Sequence, residues 1–246
     1  MDLLAIYLDK IINMNKICII SGGTSGLGLE IAELLIKEGK KVLILGRNND
    51  KIANAIRRLK KVSGADDPMA LSCNIGHESD IQKVGQYLSE KKLSVEYLFN
   101  NAGIGNFKKA EATSEEMVDN VFAANLKGMI LLTSEILRLT PEESELTIVN
   151  IMSTSALLGR PDETIYCAAK WGARGYTEAL RAEFKGRKRN IIAVYPGGMR
   201  TDFWKMQGPD KDLSTFMDPA LVADKVVHAV LLTDKTLVTD ITINRK

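Results

Sequence analysis

The chain encodes an α/β fold: a Rossmann-type, doubly wound parallel sheet of about seven strands, with helices on both faces in three αβα layers. Apolar runs such as Val42–Leu45 and Ile191–Val194 show no polar alternation, so both faces of each run are covered, as a parallel sheet requires. Between successive runs lie helical stretches long enough for right-handed crossovers. Ligands of such sheets sit beyond the carboxyl ends of the strands, so the residues just after each run are the ones to inspect.

The first strand is KICIIS, 16–21. A glycine turn follows, and then Leu27, Ile31, Leu34 and Leu35 fall on one face at helical spacing. The second strand is 41–46 and the second helix 49–62. Strands at 69–73, 95–100, 146–151 and 191–195 follow, with helical segments between them, and 237–243 is the last. No linker, repeat or low-complexity segment divides this span, so 16–246 is expected to form one domain. Residues 1–15 form an N-terminal extension in which Asp2, Asp9 and Lys10 interrupt the apolar residues, unlike a secretory signal or a membrane span. The extension is either a short amphipathic helix docked on the fold or a stretch ahead of a native start at Met14.

With 246 residues the chain is long enough to bury a substantial core. A net charge of +2 argues against a nucleic acid or a membrane surface as partner. The tightest basic cluster, Arg187-Lys188-Arg189, has no interleaved aromatics and reads as a solvated helix end or loop. Cys18, Cys73 and Cys167 are odd in number and sit among apolar or small residues, which points to buried free thiols in a reducing, cytoplasmic setting. With His77 and His228 as the two histidines and no CxxC pair, no metal site is expected.

After the first strand, SGGTSGLG (Ser21 to Gly28) turns tightly and opens a helix. Such a turn presents free backbone N–H groups and a positive helix end to an anion. Gly22, Gly26 and Gly28 remove the Cβ atoms that would block a pyrophosphate or helix–strand packing. The spacing is GxxxGxG. It resembles TGxxxGxG, the first motif of the short-chain dehydrogenases/reductases in their single-domain branch of roughly 250 residues, with Ser21 in place of the threonine. The resemblance implies a Rossmann-like fold and a nicotinamide dinucleotide held by Gly22, Thr24, Ser25, Gly26, Leu27 and Gly28.

Gly46 lies twenty residues after Gly26, where a dinucleotide fold ends its second strand beside the adenosine ribose. An acid there would accept hydrogen bonds from both ribose hydroxyls and select NAD(H). This chain has Gly46, then Arg47 and Asn48. A guanidinium forms charge-assisted, often bidentate bonds to a 2′-phosphate that a carboxylate would repel. The missing acid and the present base both favour NADP(H) over NAD(H), with Thr24 and Ser25 able to add hydroxyls.

Further matches run in family order. Asn74 and Ile75 stand where the family has an adenine-contacting aspartate and its neighbour. NNAG, Asn100 to Gly103, matches the family's fourth-strand motif, with Asn101, Ala102 and Gly103 beside the cofactor. YCAAK places Tyr166 and Lys170 on one helix face. Ser153 lies thirteen residues before Tyr166, and Asn125 on the helical segment ahead of the fifth strand. These four positions match the family's catalytic Asn-Ser-Tyr-Lys set. Carbonyl reduction needs a hydride and a proton for the developing alkoxide, and a phenol ionises near pH ~10. Lys170, assisted by the charge of oxidised nicotinamide, is expected to lower that value. Ser153 would hydrogen-bond the substrate oxygen, with Ser155 as the neighbouring hydroxyl that could replace it. The resemblance also gives Lys170 the nicotinamide ribose and Asn125 a relay water. Cys167 reads as a packing residue.

YPGGMRT resembles the family's PG…T segment, with Pro196 and Gly197 flanking the nicotinamide and Thr201 reaching the carboxamide or phosphates. Residues 200–219 resemble its substrate lid. In the lid, Phe203, Trp204, Met206 and Phe216 either wall an apolar substrate or pack the lid down. The expectation is an NADPH-dependent reductase of a small-molecule ketone or aldehyde, reversible as an alcohol dehydrogenase and assembled as a homodimer or homotetramer. An NADP(H)-binding regulator on the same fold is the alternative.

Overall fold

The computed structural model describes residues 16–62, 68–207 (206 and 207 by backbone only), 212–232 and 236–246. The extension 1–15 lies outside these residues. Strands β1 (Lys16–Ser21), β2 (Val42–Gly46), β3 (Met69–Ser72), β4 (Ser94–Asn100), β5 (Leu146–Ile151), β6 (Arg189–Pro196) and β7 (Asp240–Ile243) form one parallel sheet. Their spatial order is β3-β2-β1-β4-β5-β6-β7. The order reverses between β1 and β4, where crossovers leave to opposite sides and a cleft opens at the carboxyl edge.

The helices are α1 (Gly26–Lys37), α2 (Asn49–Leu59), α3 (Glu78–Glu90), α4 (Glu115–Phe122), α5 (Gly128–Leu139), α6 (Thr164–Glu183) and α7 (Pro219–Leu231). Alternate residues of one strand feed two cores. Cys18 and Ile20 of β1 pack with α1, α2 and α7, whereas Ile17 and Ile19 pack with α3, α5 and α6. A polar residue at any of these positions would face a core from one side or the other, which is why the runs show no alternation.

Strand bounds otherwise lie within two residues of expectation, and two elements differ by three. The helix expected over 49–62 ends at Leu59. The last strand begins at Asp240, not at 237, because β7 is an edge strand whose register with β6 pairs Asp240 to Ile243 against Ala193 to Pro196. A third difference concerns the basic cluster. Arg189 is buried, and its guanidinium donates to the carbonyls of Thr140, Pro141, Ser144 and Lys188. It is a tie between the end of α5 and the start of β6, not a solvated group. Arg187, beside it, is exposed and pairs with Glu142 at 3.2 Å.

Buried amides cross-link the centre of the sheet to the helices behind it. Asn100 Nδ2 donates to Thr133 Oγ1 and to Asn150 Oδ1, each at 2.9 Å. Asn150 Nδ2 in turn donates to Thr177 Oγ1 at 2.9 Å. The chain of bonds runs from β4 through β5 to α6 and helps to set the height of α6 above the sheet, although Asn100 Oδ1 is buried without a partner among the described residues. All three cysteines are buried free thiols. Among the described residues no helix is long and apolar enough to cross a membrane, and no group of His, Cys, Asp or Glu could hold a metal ion.

Candidate active site

The turn after β1 is locked to the end of β4. Ser21 Oγ donates to Phe99 O at 3.3 Å and accepts from the N–H groups of Asn101 and Ala102 at 3.0 and 3.1 Å. Asn101 Nδ2 returns two bonds, to Ser21 O and Gly22 O. Gly22 has φ +65°, and a Cβ there would lie 2.9 Å from Ala102 Cα, so both conformation and contact demand glycine. Ser25 starts α1 with no side-chain cap, and the first N–H groups of this helix face the cleft.

A cavity of about 640 Å³ runs from this turn along the carboxyl edge. Its wall takes in Gly22, Thr24, Ser25, Gly26, Leu27, Arg47 and Asn48 at one end. Asn74, Ile75, Asn101, Ala102 and Gly103 follow, and Asn125, Ser153, Tyr166, Lys170, Pro196, Gly197 and Thr201 complete it. Of the residues expected from the sequence, Gly28 alone does not line it. A Cβ on Gly28 would meet Gly22 O at 2.5 Å, so this glycine serves the packing of turn on helix.

At the end near β2, a Cβ on Gly46 would lie 2.5 Å from Thr24 Cγ2. Thr24 therefore fills the space a side chain at 46 would need, and no carboxylate can stand there without moving the turn. Asn48 accepts from Lys51 N at 2.9 Å and caps α2. Asn74 Oδ1 accepts from Gly76 N at 3.2 Å, which commits the amide oxygen to its own turn.

At the other end four side chains converge. Asn125 stands on a π-helical turn, Ala123–Lys127, between α4 and α5. The extra residue in that turn was not legible in the apolar spacing. Asn125 is 1% exposed, and its Nδ2 donates to Ile104 O and Val121 O. Its Oδ1 is buried without a hydrogen-bond partner among the described residues. A Cβ built on Gly103 would lie 2.5 Å from that oxygen and 3.6 Å from Lys170 Nζ, so the two flank one point. Lys170 is 3% exposed, donates to Ile151 O at 3.2 Å and sits 5.7 Å from the centroid of the Tyr166 ring.

The two candidate serines separate cleanly. Ser155 Oγ donates to Glu163 Oε2 at 2.9 Å, whereas the Ser153 hydroxyl, which accepts from Ser155 N at 3.1 Å, acts on the Tyr166 phenol. Ser153 is thus the hydroxyl that shares the phenol's position. Burial drives the Tyr166 phenol well above its ordinary pKa; the Ser153 bond opposes this and the Glu163 charge adds to it. Burial lowers Lys170 to about 8. A dry site penalises the charged forms of both groups; the lowering expected from Lys170 together with an oxidised nicotinamide belongs to the cofactor-bound site.

Phe203 meets the Tyr166 ring edge-on at 5.6 Å, and Trp204 stacks on Phe107 at 5.0 Å and meets Phe216 at 5.0 Å. Phe203, Trp204 and Phe216 both line the cavity and pack on one another, so the two readings of these aromatics hold together. The side chain of Met206 lies outside the described residues.

The family model for short chain dehydrogenase matches residues 16–212. The chain belongs to the short-chain dehydrogenase/reductase family. This is a family of oxidoreductases that act on CH–OH or carbonyl groups with a nicotinamide cofactor. A 3-oxoacyl-(acyl-carrier-protein) reductase of Bos taurus is 30% identical over 192 residues, 78% of this chain and 79% of that one. Carbonyl reductase family member 4 of Xenopus tropicalis is 30% identical over 237 residues, 92% of this chain and 97% of the relative. An actinorhodin polyketide ketoreductase solved with NADPH has a TM-score of 0.83 at 25% identity, covering 94% of this chain and 96% of that structure.

Phe107, Arg160 and Glu163 belong to the surroundings of this dehydrogenase site but to no motif read from the sequence. Phe107 stacks on the lid, and Arg160 and Glu163 line the cavity. They stand in irregular segments, where neither periodicity nor spacing singles them out.

The depressed Lys170 pKa carries a stability signature. Between about pH 8 and the ordinary lysine value of 10.5, the unfolded chain holds a proton that the folded chain has released. Stability from this group therefore rises with pH across that window and is lost as pH falls through 8, by roughly 3 kcal/mol in all. In chemical unfolding from pH 7.5 to 10.5, the stability of wild type minus that of Lys170→Met should rise with that slope; the buried thiols Cys18 and Cys73, whose raised pKa values act with the opposite sign above pH 9, cancel in the difference.

Proposed function

We propose that this short-chain dehydrogenase/reductase is an NADPH-dependent reductase of ketones or aldehydes, reversible as an alcohol dehydrogenase, with Tyr166 as general acid and base. One observation carries the reading. Tyr166, Ser153, Lys170 and the orphaned Asn125 oxygen converge at one end of a cavity whose other end carries Arg47 and no acid at the terminus of β2, the Asp202 carboxylate there pairing with Lys51 at 3.9 Å.

The cavity wall suits a dinucleotide. The uncapped start of α1 and the glycine turn are fitted to a pyrophosphate, with Thr201 closing over Gly26 from the far side. Arg47, helped by Thr24 and Ser25, takes the 2′-phosphate, and Asn48 holds the start of α2 beneath it. Asn74 and Ile75 border the adenine; Asn101, Ala102 and Gly103 border the middle of the cofactor. Pro196 and Gly197 border the nicotinamide, and Tyr166 and Lys170 its ribose. When bound, NADPH supplies the hydride.

The protein's groups then handle the proton. Tyr166, kept neutral by burial, is in the donor state that reduction needs, and gives its proton to the oxygen that becomes the alkoxide. Ser153 donates a hydrogen bond to the same oxygen as its charge develops. Lys170 stabilises the phenolate left behind, and Asn125 Oδ1 accepts from a water that returns the proton. A protein that merely sensed NADP(H) would have no use for a buried Tyr166 beside the Ser153 hydroxyl.

The reading takes residues 16–246 as one catalytic domain and 200–219 as its lid, in a cytoplasmic homodimer or homotetramer. Trp171, 46% exposed on α6, supports a subunit contact on that helix.

NADPH oxidation against a panel of ketones and aldehydes, with NADH as control, tests the activity. Tyr166→Phe is expected to lower kcat by about two to four orders of magnitude while NADPH affinity is unchanged; turnover near wild type would refute the acid–base role. Arg47→Ala is expected to weaken NADPH binding about ten- to a hundredfold, the size of one or two charge-assisted bonds, and to leave NADH binding unchanged. Equal loss for both cofactors would refute the phosphate role.

A further inference from the structure

Two charged side chains at the substrate end take no part in the proton chemistry. Arg160 and Glu163 both line the cavity, in the segment between the 3₁₀ turn Thr154–Ala156 and α6. They do not pair with each other. Arg160 Nη2 donates to Thr154 Oγ1 at 3.1 Å, and Glu163 Oε2 accepts from Ser155 Oγ at 2.9 Å. Adjacent hydroxyls of one turn therefore hold opposite charges apart. Among the described residues no ion pair engages Arg160, so its other N–H groups remain for a ligand.

We propose that Arg160 anchors a carboxylate of the substrate, which makes the substrate class of this reductase the oxo acids. The inference rests on the reductase reading and adds what is reduced. Thr154 is the residue after Ser153, and consecutive Cα atoms lie about 3.8 Å apart. A guanidinium fastened to Thr154 thus lies one residue from the hydroxyl that receives the carbonyl oxygen. A compound with its carbonyl at Ser153 and Tyr166 needs a few bonds to bring a carboxylate to Arg160. A planar guanidinium matches that group in two-point geometry.

Glu163 sets the orientation. Its charge acts on the Tyr166 phenol, so it stands on the reacting side and repels a carboxylate placed there. Attraction at Arg160 and repulsion at Glu163 select one of the two ways an oxo acid could lie. Phe203 and Trp204, packed over Tyr166 and Phe107, form an apolar wall of the cavity, while Arg160 stands at its exposed rim. In the reaction the hydride from NADPH bonds to the carbonyl carbon, the C=O π bond breaks, and the Tyr166 proton goes to oxygen. NADPH is oxidised, the ketone is reduced to a secondary alcohol, and the carboxylate is unchanged. A phosphate-bearing arm would call for more cations than this end offers. Arg245, the other arginine lining the cavity outside the β2 end, is drawn over the Phe216 ring at 4.7 Å.

The test uses the full chain with saturating NADPH and pairs of oxo acids and their methyl esters, with the oxo group two, three, four or five carbons along. For at least one pair, kcat/KM for the acid is expected to exceed that for the ester by about tenfold or more, the size of one charge-assisted bond. Arg160→Met should erase this preference, chiefly by raising KM for the acid, with ester reduction and NADPH affinity retained. Arg160→Lys should keep part of the preference. Equal use of acid and ester, or an acid preference that survives Arg160→Met, overturns the anchor and leaves the reductase reading standing. Failure to reduce any member while NADPH binds overturns both.

Discussion

The hydroxyl of Ser21 joins two strands that are far apart in sequence, and the site depends on that joint. It gives one bond to the end of β4 and takes two from the residues that follow β4. Those N–H groups leave the sheet where no strand can satisfy them, and a buried N–H without an acceptor is costly. The glycine turn and the NNAG segment are thereby brought into contact, with Gly22 against Ala102. This is also the place where the strand order reverses, so the contact fixes the walls of the cleft. The threonine of the family motif has the same hydroxyl, and serine keeps the bonds while dropping a methyl group.

A second constraint operates across β4 and β5. The Asn100–Asn150–Thr177 ladder places α6 relative to the sheet, and α6 carries Tyr166 and Lys170 into a dry position. Dryness acts on both groups: it keeps the phenol protonated and weakens the hold of Lys170 on its proton. The Asn125 oxygen, buried without a partner, costs folding energy that a plain α-helical turn would avoid, and the π turn holds it there. Local departures from good folding rules concentrate where the chemistry is expected.

Most of the architecture was legible because parallel strands covered on both faces leave a one-letter signature, an unbroken apolar run. Motif residues were legible because their spacing is tied to tight turns and helix faces. What the sequence hid is physical in each case. Spacing to Tyr166 favours Ser153 over Ser155, but the bond that commits Ser155 to Glu163 is a contact across a loop. The direction of the Tyr166 shift depends on burial, which a spacing cannot reveal. Arg189 looked like a solvated charge and is a buried tie, because four carbonyls around the end of α5 accept its protons. Phe107 and Arg160 come from irregular chain, and only the folded cavity brings them to the site.

The proposed reaction requires the hydride donor and the proton donor to meet at the Tyr166 end of one cavity, with the adenosine end of the cofactor at Arg47. Transfer of deuterium from NADPH labelled at nicotinamide C4, run separately with each epimer, tests this most directly. The predicted result is a single deuterium on the carbinol carbon from one epimer and none from the other, with the hydroxyl proton drawn from solvent. Label appearing equally from both epimers, or carbinol hydrogen arriving from solvent, would contradict it.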